Sequence, residues 1–220
     1  NDGATIVDVG AESTRPGASP LTADEEWNRL KRILNEIIPG YTDAISLDTH
    51  HAETVRRAAQ IGSIIINDVT AFNNPEMREV AAYFGFRCIV SHLPGSVGQD
   101  IQRAHREKAV DSVEQVYDEL LTRRDELIAA GVHSGSIILD PGIGFGKTET
   151  VNWALLAFAS RVPEHNVMIG YSRKRFLGED RMDLAPNLEA ARIAIEAGAK
   201  YLRVHDVAGH YSSLGSRGQL

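Results

Sequence analysis

Asp140 begins a glycine-rich stretch, Asp140-Pro-Gly-Ile-Gly-Phe-Gly-Lys147, in which a carboxylate and an ammonium group flank three glycines. The apolar, β-branched run 137–139 comes directly before it and predicts a buried strand. Glycine tolerates positive φ and lets the backbone approach a ligand closely, whereas a plain turn needs only one or two such residues. The stretch therefore predicts a ligand-binding loop in which Asp140 contacts the ligand.

Polar side chains also end most of the other predicted strands. Short apolar runs predict strands at 5–9, 44–48, 64–68, 87–92, 137–140, 167–170 and 201–206. Amphipathic stretches between them predict helices at 22–38, 51–61, 75–85, 149–160 and 186–197, with a long helix within 100–130. Near-continuous apolar strands that alternate with helices imply a parallel sheet covered on both faces.

The strand ends distinguish between the two architectures that fit this alternation. An open doubly wound sheet binds its ligand at one switch point, whereas a closed barrel gathers residues from most of its strands into one mouth. Nearly every strand here ends in Asp, Asn, His, Ser or Arg, which favours the barrel. A TIM-type (β/α)8 barrel has about 31 residues per unit, so 220 residues correspond to roughly seven units. We therefore predict a single α/β domain, residues 1–220, with one unit of the barrel missing from this chain.

The composition is that of a globular protein without membrane or nucleic-acid signals. A hydrophobic content of 43% suits one sizeable core, and no apolar run approaches the roughly 20 residues of a membrane span. The formal net charge of −7 argues against a nucleic-acid surface, which usually carries a basic field. Cys88 is the only cysteine, so we expect no internal disulfide and a reducing compartment, by default the cytoplasm.

Six motifs resemble those of the dihydropteroate synthase family and occur in that family's order. They are Asp8-Val-Gly-Ala-Glu-Ser-Thr-Arg-Pro-Gly17, Leu47-Asp-Thr49, Ile66-Asn-Asp-Val69, the stretch from Asp140 to Lys147, Ser172-Arg-Lys-Arg-Phe176 and Arg203-Val-His-Asp-Val207. The resemblance implies an eight-stranded barrel whose first β/α unit lies outside this chain. It also implies a transferase that condenses 6-hydroxymethyl-7,8-dihydropterin diphosphate with p-aminobenzoate, giving dihydropteroate for folate synthesis.

The resemblance assigns roles in pterin binding, and pterin chemistry agrees with them. A pterin has a flat edge of donors beside a carbonyl acceptor, so its site needs carboxylates and an amide on one side and a cation on the other. By resemblance, Asp140, Asn67 and Asp48 bind the donor edge. Lys174 meets the ring carbonyl and nitrogen.

Lys174, Arg203 and His205 are the catalytic residues that the resemblance implies. Arg203 would stack on the pterin and, together with His205, stabilise the departing diphosphate. The two side chains point the same way if residues 201–206 alternate as a strand. No protein nucleophile is required for this displacement.

The aminobenzoate side of the site is assigned to a loop that carries Thr14 and Arg15, with Ser172 lining the same pocket. Phe145 is a further expected substrate-binding residue. Closure of this loop would exclude water and suppress hydrolysis of the pterin diphosphate. The family also implies Mg²⁺, although its usual Asn ligand lies outside this chain, and we assign no metal ligand here. A homodimer is possible by the same resemblance.

Several other polar residues have structural interpretations. Asp8 and Asp68 fit backbone capping as well as they fit a site, and Asp206 would face away from His205. His50 and His51 are expected to begin a helix, where adjacent residues do not share a face, which argues against a metal site. His92 is expected to face the mouth of the barrel. Exposed positions are expected for His105, His133, His165 and His210.

Three alternatives stay open at this point. A pterin-binding methyltransferase domain shares the barrel and the acid–amide contacts but does not need the Ser172-Arg-Lys174 and Thr14-Arg15 elements. A paralogue that binds pterin without turnover fits the missing first unit. A metal-dependent hydrolase is the least favoured, because no predicted strand carries a His-x-His pair.

Overall fold

The structure, a computed structural model, describes residues 2–13, 17–41, 43–94 and 109–215, and its framework is a seven-stranded parallel sheet. The strands are β1 (Val7–Gly10), β2 (Ile45–Asp48), β3 (Ile65–Asp68), β4 (Arg87–Ser91), β5 (Ile137–Asp140), β6 (Asn166–Ile169) and β7 (Tyr201–Leu202). Their order in the sheet is their order in the chain, and every neighbouring pair is parallel. The predicted strands and the parallel sheet are confirmed.

Helices connect successive strands, as the hydrophobic pattern predicts. They are α1 (Ala23–Ile37), α2 (Ala52–Ala59), α3 (Pro75–Phe84), α4 (Val113–Ala129), α5 (Glu149–Ala154), α6 (Leu184–Glu196) and α7 (Val207–Leu214). The helix predicted at 149–160 is only partly α-helical, because Leu155–Arg161 continues it as a 3₁₀ helix. The long helix expected within 100–130 is α4, and residues 95–108 lie outside the described part of the chain.

Local sequence sets the helix boundaries. Thr22 and Glu25 form a capping box, in which each side chain accepts a hydrogen bond from the other's backbone N–H. At the start of α3, the Asn74 side chain accepts from the Glu76 N–H and Pro75 occupies the first turn. Gly85 ends α3 in the left-handed conformation that glycine adopts without strain. These caps fix where each helix begins and ends against the sheet.

The end of the chain differs from the prediction. The strand predicted at 201–206 stops at Leu202, since its neighbour β6 ends at Ile169, and only the Arg203 N–H to Ile169 carbonyl bond extends the pairing. Arg203 and His205 therefore lie in the connection after β7, not along a strand. α7 follows at once and was not predicted; Asp206 caps it by accepting from the Gly209 N–H.

β1 and β7, the two end strands of the sheet, line the same cavity of about 330 Å³. The interior side chains Ile89, Ile138 and Met168 contribute to its apolar lining. The sheet is thus curled, and the cavity lies where one more strand of a closed barrel would run. The described residues form a TIM-type α/β barrel that lacks one β/α unit.

Candidate active site

The carboxyl ends of the strands bring the predicted site residues to one edge of the curled sheet. Gly10 pairs in register with Asp48, and Asp48 pairs with Asn67. Ser91 at the end of β4 likewise pairs with Asp140 at the end of β5. Because the strands are parallel, these polar ends share one face of the barrel.

Asn67 and Asp8 form a hydrogen-bonded acid–amide pair. The Asn67 Nδ2 group donates to Asp8 Oδ1 and Oδ2 at 3.2 and 3.3 Å. Asn67 is fully buried, and its Oδ1 has no hydrogen-bond partner among the described residues. A buried acceptor without a partner is costly unless a ligand satisfies it, so this oxygen is available to a donor edge.

Asp48 lies in a strongly acidic environment. Burial, together with the neighbouring carboxylate of Asp8, raises the pKa of its carboxyl group to about 7, against the attraction of Arg203. Asp48 therefore binds a proton across much of the neutral range. A ligand that presents hydrogen-bond donors would favour its ionised form.

Asp140 and the glycine loop form a tightly packed turn. Asp140 Oδ1 accepts from the Gly142 N–H at 2.8 Å, and Ser91 Oγ lies 3.4 Å from Asp140 Oδ2. Gly142 has φ of 62°, and a Cβ atom there would lie 2.1 Å from the His92 carbonyl oxygen. Only glycine fits at this position, as the sequence predicted for the loop.

Lys147 holds this loop from inside. Its buried Nζ donates to the carbonyl oxygens of Gly142 at 2.8 Å, Phe145 at 3.0 Å and His92 at 3.4 Å. Burial lowers the pKa of Lys147 to about 7, while Asp140 opposes that change. No role was predicted for Lys147; a lysine that closes a glycine-rich loop is the signal that could have identified it.

Lys174 lies over the same loop. Its Nζ donates to the Ile143 carbonyl and lies 5.2 Å from the centre of the Phe145 ring. Burial and the nearby charge of Arg203 lower the pKa of Lys174 to about 7, whereas Asp140 acts to raise it. Asp140 at the start of the loop and Lys174 beside the loop thus place an acceptor and a donor within electrostatic range of each other.

Arg203, His205 and Ser172 form the other side of the site. Arg203 Nη1 lies 3.3 Å from Asp8 Oδ2. The Ser172 hydroxyl accepts from the His205 N–H at 3.3 Å and lies 3.1 Å from His205 Nδ1. His205 is exposed and Ser172 is buried, so this hydrogen-bonded pair extends from the protein surface into the interior of the site. Thr14 and Arg15 lie outside the described residues.

Some expectations for individual residues need correction. His92 does not direct its ring into the mouth: its Nε2 lies 3.1 Å from Glu119 on α4, and burial lowers its pKa to about 4. His210 is not exposed but buried, with its ring centre 6.2 Å from that of Tyr171. His165 is half-buried, 2.7 Å from Arg124.

The remaining single-residue expectations have mixed outcomes. His133 is exposed, as expected, and His105 lies outside the described residues. Asp68 has the structural role considered for it, because its Oδ1 accepts from the Thr70 N–H and hydroxyl at 2.7 Å each. Asp8, for which capping was an equal alternative, belongs to the site.

The comparison with known proteins agrees with this geometry. Residues 1–205 match the pterin binding enzyme family. The dihydropteroate synthase of Escherichia coli (strain K12) is 34% identical over 214 residues, which cover 94% of this chain and 75% of that protein.

Two solved structures extend the likeness to three dimensions. The dihydropteroate synthase from Anaplasma phagocytophilum with bound 6-hydroxymethylpterin-monophosphate has a TM-score of 0.82 at 36% identity, covering 97% of this chain and 87% of that one. The Xanthomonas albilineans enzyme in complex with 7,8-dihydropteroate has a TM-score of 0.80 at 30% identity, covering 97% and 78%.

These relatives are synthases, which favours a synthase over the methyltransferase and hydrolase alternatives. None of the helices in the described part of the chain is both long and apolar enough to cross a membrane. Fold, strand-end residues and sequence similarity lead to the same assignment. The chain belongs to the pterin-binding enzyme family and, within it, to the dihydropteroate synthases.

Proposed function

We propose that the carboxyl ends of the strands are where this chain condenses 6-hydroxymethyl-7,8-dihydropterin diphosphate with p-aminobenzoate. The observation that carries the proposal is that Lys174, in the connection after β6, donates to the Ile143 carbonyl of the glycine loop that Asp140 begins. An acceptor-only carboxylate beside an ammonium donor complements the donor edge and the carbonyl of a pterin. Asn67 and Asp48 extend the acceptor side.

Two kinds of group would determine how the site binds the pterin: a buried acceptor without a hydrogen-bond partner, and side chains whose pKa is near 7. The unpartnered Oδ1 of buried Asn67 would accept from the pterin. Asp48, whose pKa is about 7, would ionise when it meets pterin donors. Lys174, also near 7, would take up a proton when it meets the ring carbonyl and the anionic diphosphate. Both changes make recognition charge-assisted, and charge-assisted hydrogen bonds are the stronger class.

The displacement itself needs stabilisation of the leaving group. The aminobenzoate nitrogen attacks the pterin methylene carbon, the carbon–oxygen bond to diphosphate breaks with its electron pair on oxygen, and the nitrogen loses a proton. Arg203 offers a guanidinium to the departing diphosphate, and His205, held by Ser172, offers its ring. Positioned cations that meet developing negative charge lower the barrier without a covalent intermediate.

The proposal includes Mg²⁺. Magnesium is commonly bound through one or two carboxylates together with substrate phosphates. Asp8 fits this requirement, because its carboxylate lies beside Arg203 and its side chain is 23% exposed. Asp8 would hold the ion together with the diphosphate, and the ion would supply charge neutralisation for the leaving group. Without the ion, Asp8 still holds Asn67 and Arg203 in place through its hydrogen bonds with them.

The aminobenzoate would bind beside Ser172 and Phe145, with Thr14 and Arg15 meeting its carboxylate. Phe145 is half-buried and packs on Val69 and Leu93, so its ring is held in position. We also propose a cytoplasmic location, because Cys88 is a buried free thiol. The possible homodimer stays a prediction that a solution mass measurement would check.

The experiment is formation of dihydropteroate from the two substrates with and without Mg²⁺. We expect the parent protein to form dihydropteroate. Lys174→Met and Arg203→Ala should each reduce this turnover by at least about 100-fold, since each removes one charged contact to the transition state. Arg32→Ala, which changes an exposed arginine on α1, should turn over like the parent. Tight pterin binding without any turnover would favour the paralogue that binds but does not react.

A further inference from the structure

Glu12, His50 and His51 form a cluster of possible metal ligands beside the described site. One donor atom from each residue lies within 4.8 Å of the donor atoms of the other two. All three residues are half-buried. Neither pterin recognition nor diphosphate release, as derived above, uses any of these side chains.

The fold makes this cluster possible although the two histidines are adjacent in sequence. His50 lies before α2, and His51 is its N-cap residue in extended conformation, with φ of −97° and ψ of 109°. The helical geometry that would separate adjacent side chains therefore does not apply, and the two ring centres lie only 4.2 Å apart. The histidines do begin a helix, as expected, with His51 as its N-cap, but the expectation that adjacent residues argue against a metal site fails because both precede the first residue of α2.

Glu12 reaches the histidines because β1 and β2 are neighbours. Gly10 pairs with Asp48, so the segments that follow these two strands leave the sheet side by side. Glu12 Oε2 also accepts from the Leu21 N–H at 3.1 Å. The same carboxylate thus joins the two ends of the segment between residues 12 and 21.

The Glu12 and His51 side chains approach each other without forming a hydrogen bond. His51 Nε2 is buried and has no hydrogen-bond partner among the described residues, and its distance to Glu12 Oε2 is 3.8 Å. That distance is too long for a hydrogen bond. It suits two ligands of one ion, since Zn²⁺ holds nitrogen and oxygen ligands at about 2.0–2.2 Å each.

Hydrogen bonds hold the backbone at the second histidine. The His51 backbone N–H donates to Thr49 Oγ1 at 3.1 Å, and the Thr49 hydroxyl donates to Glu26 Oε2 at 2.7 Å. Glu26 is fully buried. This buried network fixes the backbone from which the His51 side chain extends.

We propose that Glu12, His50 and His51 bind a divalent transition-metal ion such as Zn²⁺. Two imidazoles and one carboxylate are ligands that Zn²⁺ and Co²⁺ favour, whereas Mg²⁺ prefers oxygen ligands alone. The site is therefore distinct from the Mg²⁺ that accompanies diphosphate. The ion joins Glu12, which follows β1, to the β2–α2 connection.

The test is metal binding by the tag-free full chain after chelator treatment. Calorimetric titration with Zn²⁺ should give one site, and Co²⁺ should give the visible absorption of a site with imidazole ligands. Glu12→Gln, His50→Asn and His51→Asn should each weaken Zn²⁺ binding by at least about 10-fold. Glutamine keeps an acceptor for the Leu21 N–H, and asparagine is a good helix N-cap, so these changes spare the local fold.

His133→Asn is the matched control, because it changes an exposed histidine far along the chain. It should bind Zn²⁺ like the parent. Melting curves without metal should coincide for all variants, and Zn²⁺ should raise the melting temperature only where the three ligands are intact. Parent-like Zn²⁺ affinity in the Glu12→Gln and His51→Asn proteins would overturn the proposal. These readouts do not involve turnover, so they stand apart from the success or failure of the proposed reaction.

Discussion

Arg203 Nη1 lies 3.3 Å from Asp8 Oδ2, and this ion pair joins the two ends of the seven-stranded sheet. Asp8 is on β1, and Arg203 directly follows β7. Burial acts to lower the pKa of Arg203, but the carboxylates of Asp8, Asp140 and Asp48 raise it above its ordinary value. The guanidinium therefore stays charged at the mouth of the barrel.

Arg203 and His205 should be separable by the choice of ligand. His205→Ala should weaken binding of the pterin diphosphate far more than that of bare hydroxymethylpterin, because it removes a partner of the phosphate alone. Arg203→Ala should weaken both ligands by about 1–3 kcal/mol, because the guanidinium also stacks on the pterin. Calorimetry with the two ligands measures this. Equal losses for both ligands in the His205 variant would remove His205 from the phosphate site.

Gly142→Ala should destabilise the protein more than a chemically identical change elsewhere. The alanine would have to adopt φ of 62° and place Cβ 2.1 Å from the His92 carbonyl oxygen. Gly85 has nearly the same φ, 66°, but open space around its Cβ position. We expect about 1–2 kcal/mol of lost unfolding free energy for Gly85→Ala and about 2–5 kcal/mol for Gly142→Ala.

Urea unfolding of both glycine variants provides the measurement, and pterin binding provides a second readout. Gly85→Ala should bind pterin like the parent, because Gly85 caps α3 far from the loop. Equal destabilisation of the two variants would show that the turn at Gly142 relaxes and that the loop is not rigid.

Asp48→Asn should stabilise the protein in a pH-dependent way. The carboxyl group has a pKa of about 7 in the folded protein against 3.8 for the ordinary group. Its contribution to stability is therefore complete below about pH 4 and is lost as the pH rises through 7. Asparagine does not ionise, so it has no cost of burying a charge. The free energy of unfolding of the variant should therefore rise by about 1–2 kcal/mol relative to that of the parent between pH 4 and pH 8, a range that allows for the partial exposure of Asp48.

Denaturant titrations at pH 4, 6 and 8 measure this difference. Asp118→Asn, which changes an exposed carboxylate on α4, should show no comparable rise. A gain for Asp48→Asn that is the same at all three pH values would contradict a raised pKa.

The sequence predicts the parts of this fold that depend on local pattern. Short apolar runs identify β2 to β6, because nearly all residues of these strands are buried. Asp140 could be identified as a candidate site residue in the same way, since a carboxylate at the end of a buried strand needs a partner. Asn67 and Asp48 end strands in the same way.

The parts that depend on neighbours in space could not be predicted in the same way. β7 ends early because β6 does, and nothing in Tyr201-Leu-Arg-Val-His205 records where its partner stops. His210 is buried because it lies on α7, a helix that was not predicted from the sequence. The juxtaposition of Glu12 with His50 and His51 depends on the register of β1 against β2.

We expect pterin recognition to depend most directly on Asp140. Its Oδ1 already accepts from the Gly142 N–H. The oxygen of an asparagine would therefore keep that contact, and its NH₂ group would meet the donor edge of the ligand. The mismatch should cost about 2–4 kcal/mol of binding free energy with little loss of fold.

The most direct measurement is titration calorimetry of hydroxymethylpterin with the parent, Asp140→Asn and Asp118→Asn proteins at one pH. The account predicts that the parent and the Asp118→Asn control bind alike, while Asp140→Asn loses most or all measurable affinity and keeps the parent's melting temperature within a few degrees. Unchanged pterin affinity in the Asp140→Asn protein would contradict the assignment of this strand end as the pterin site.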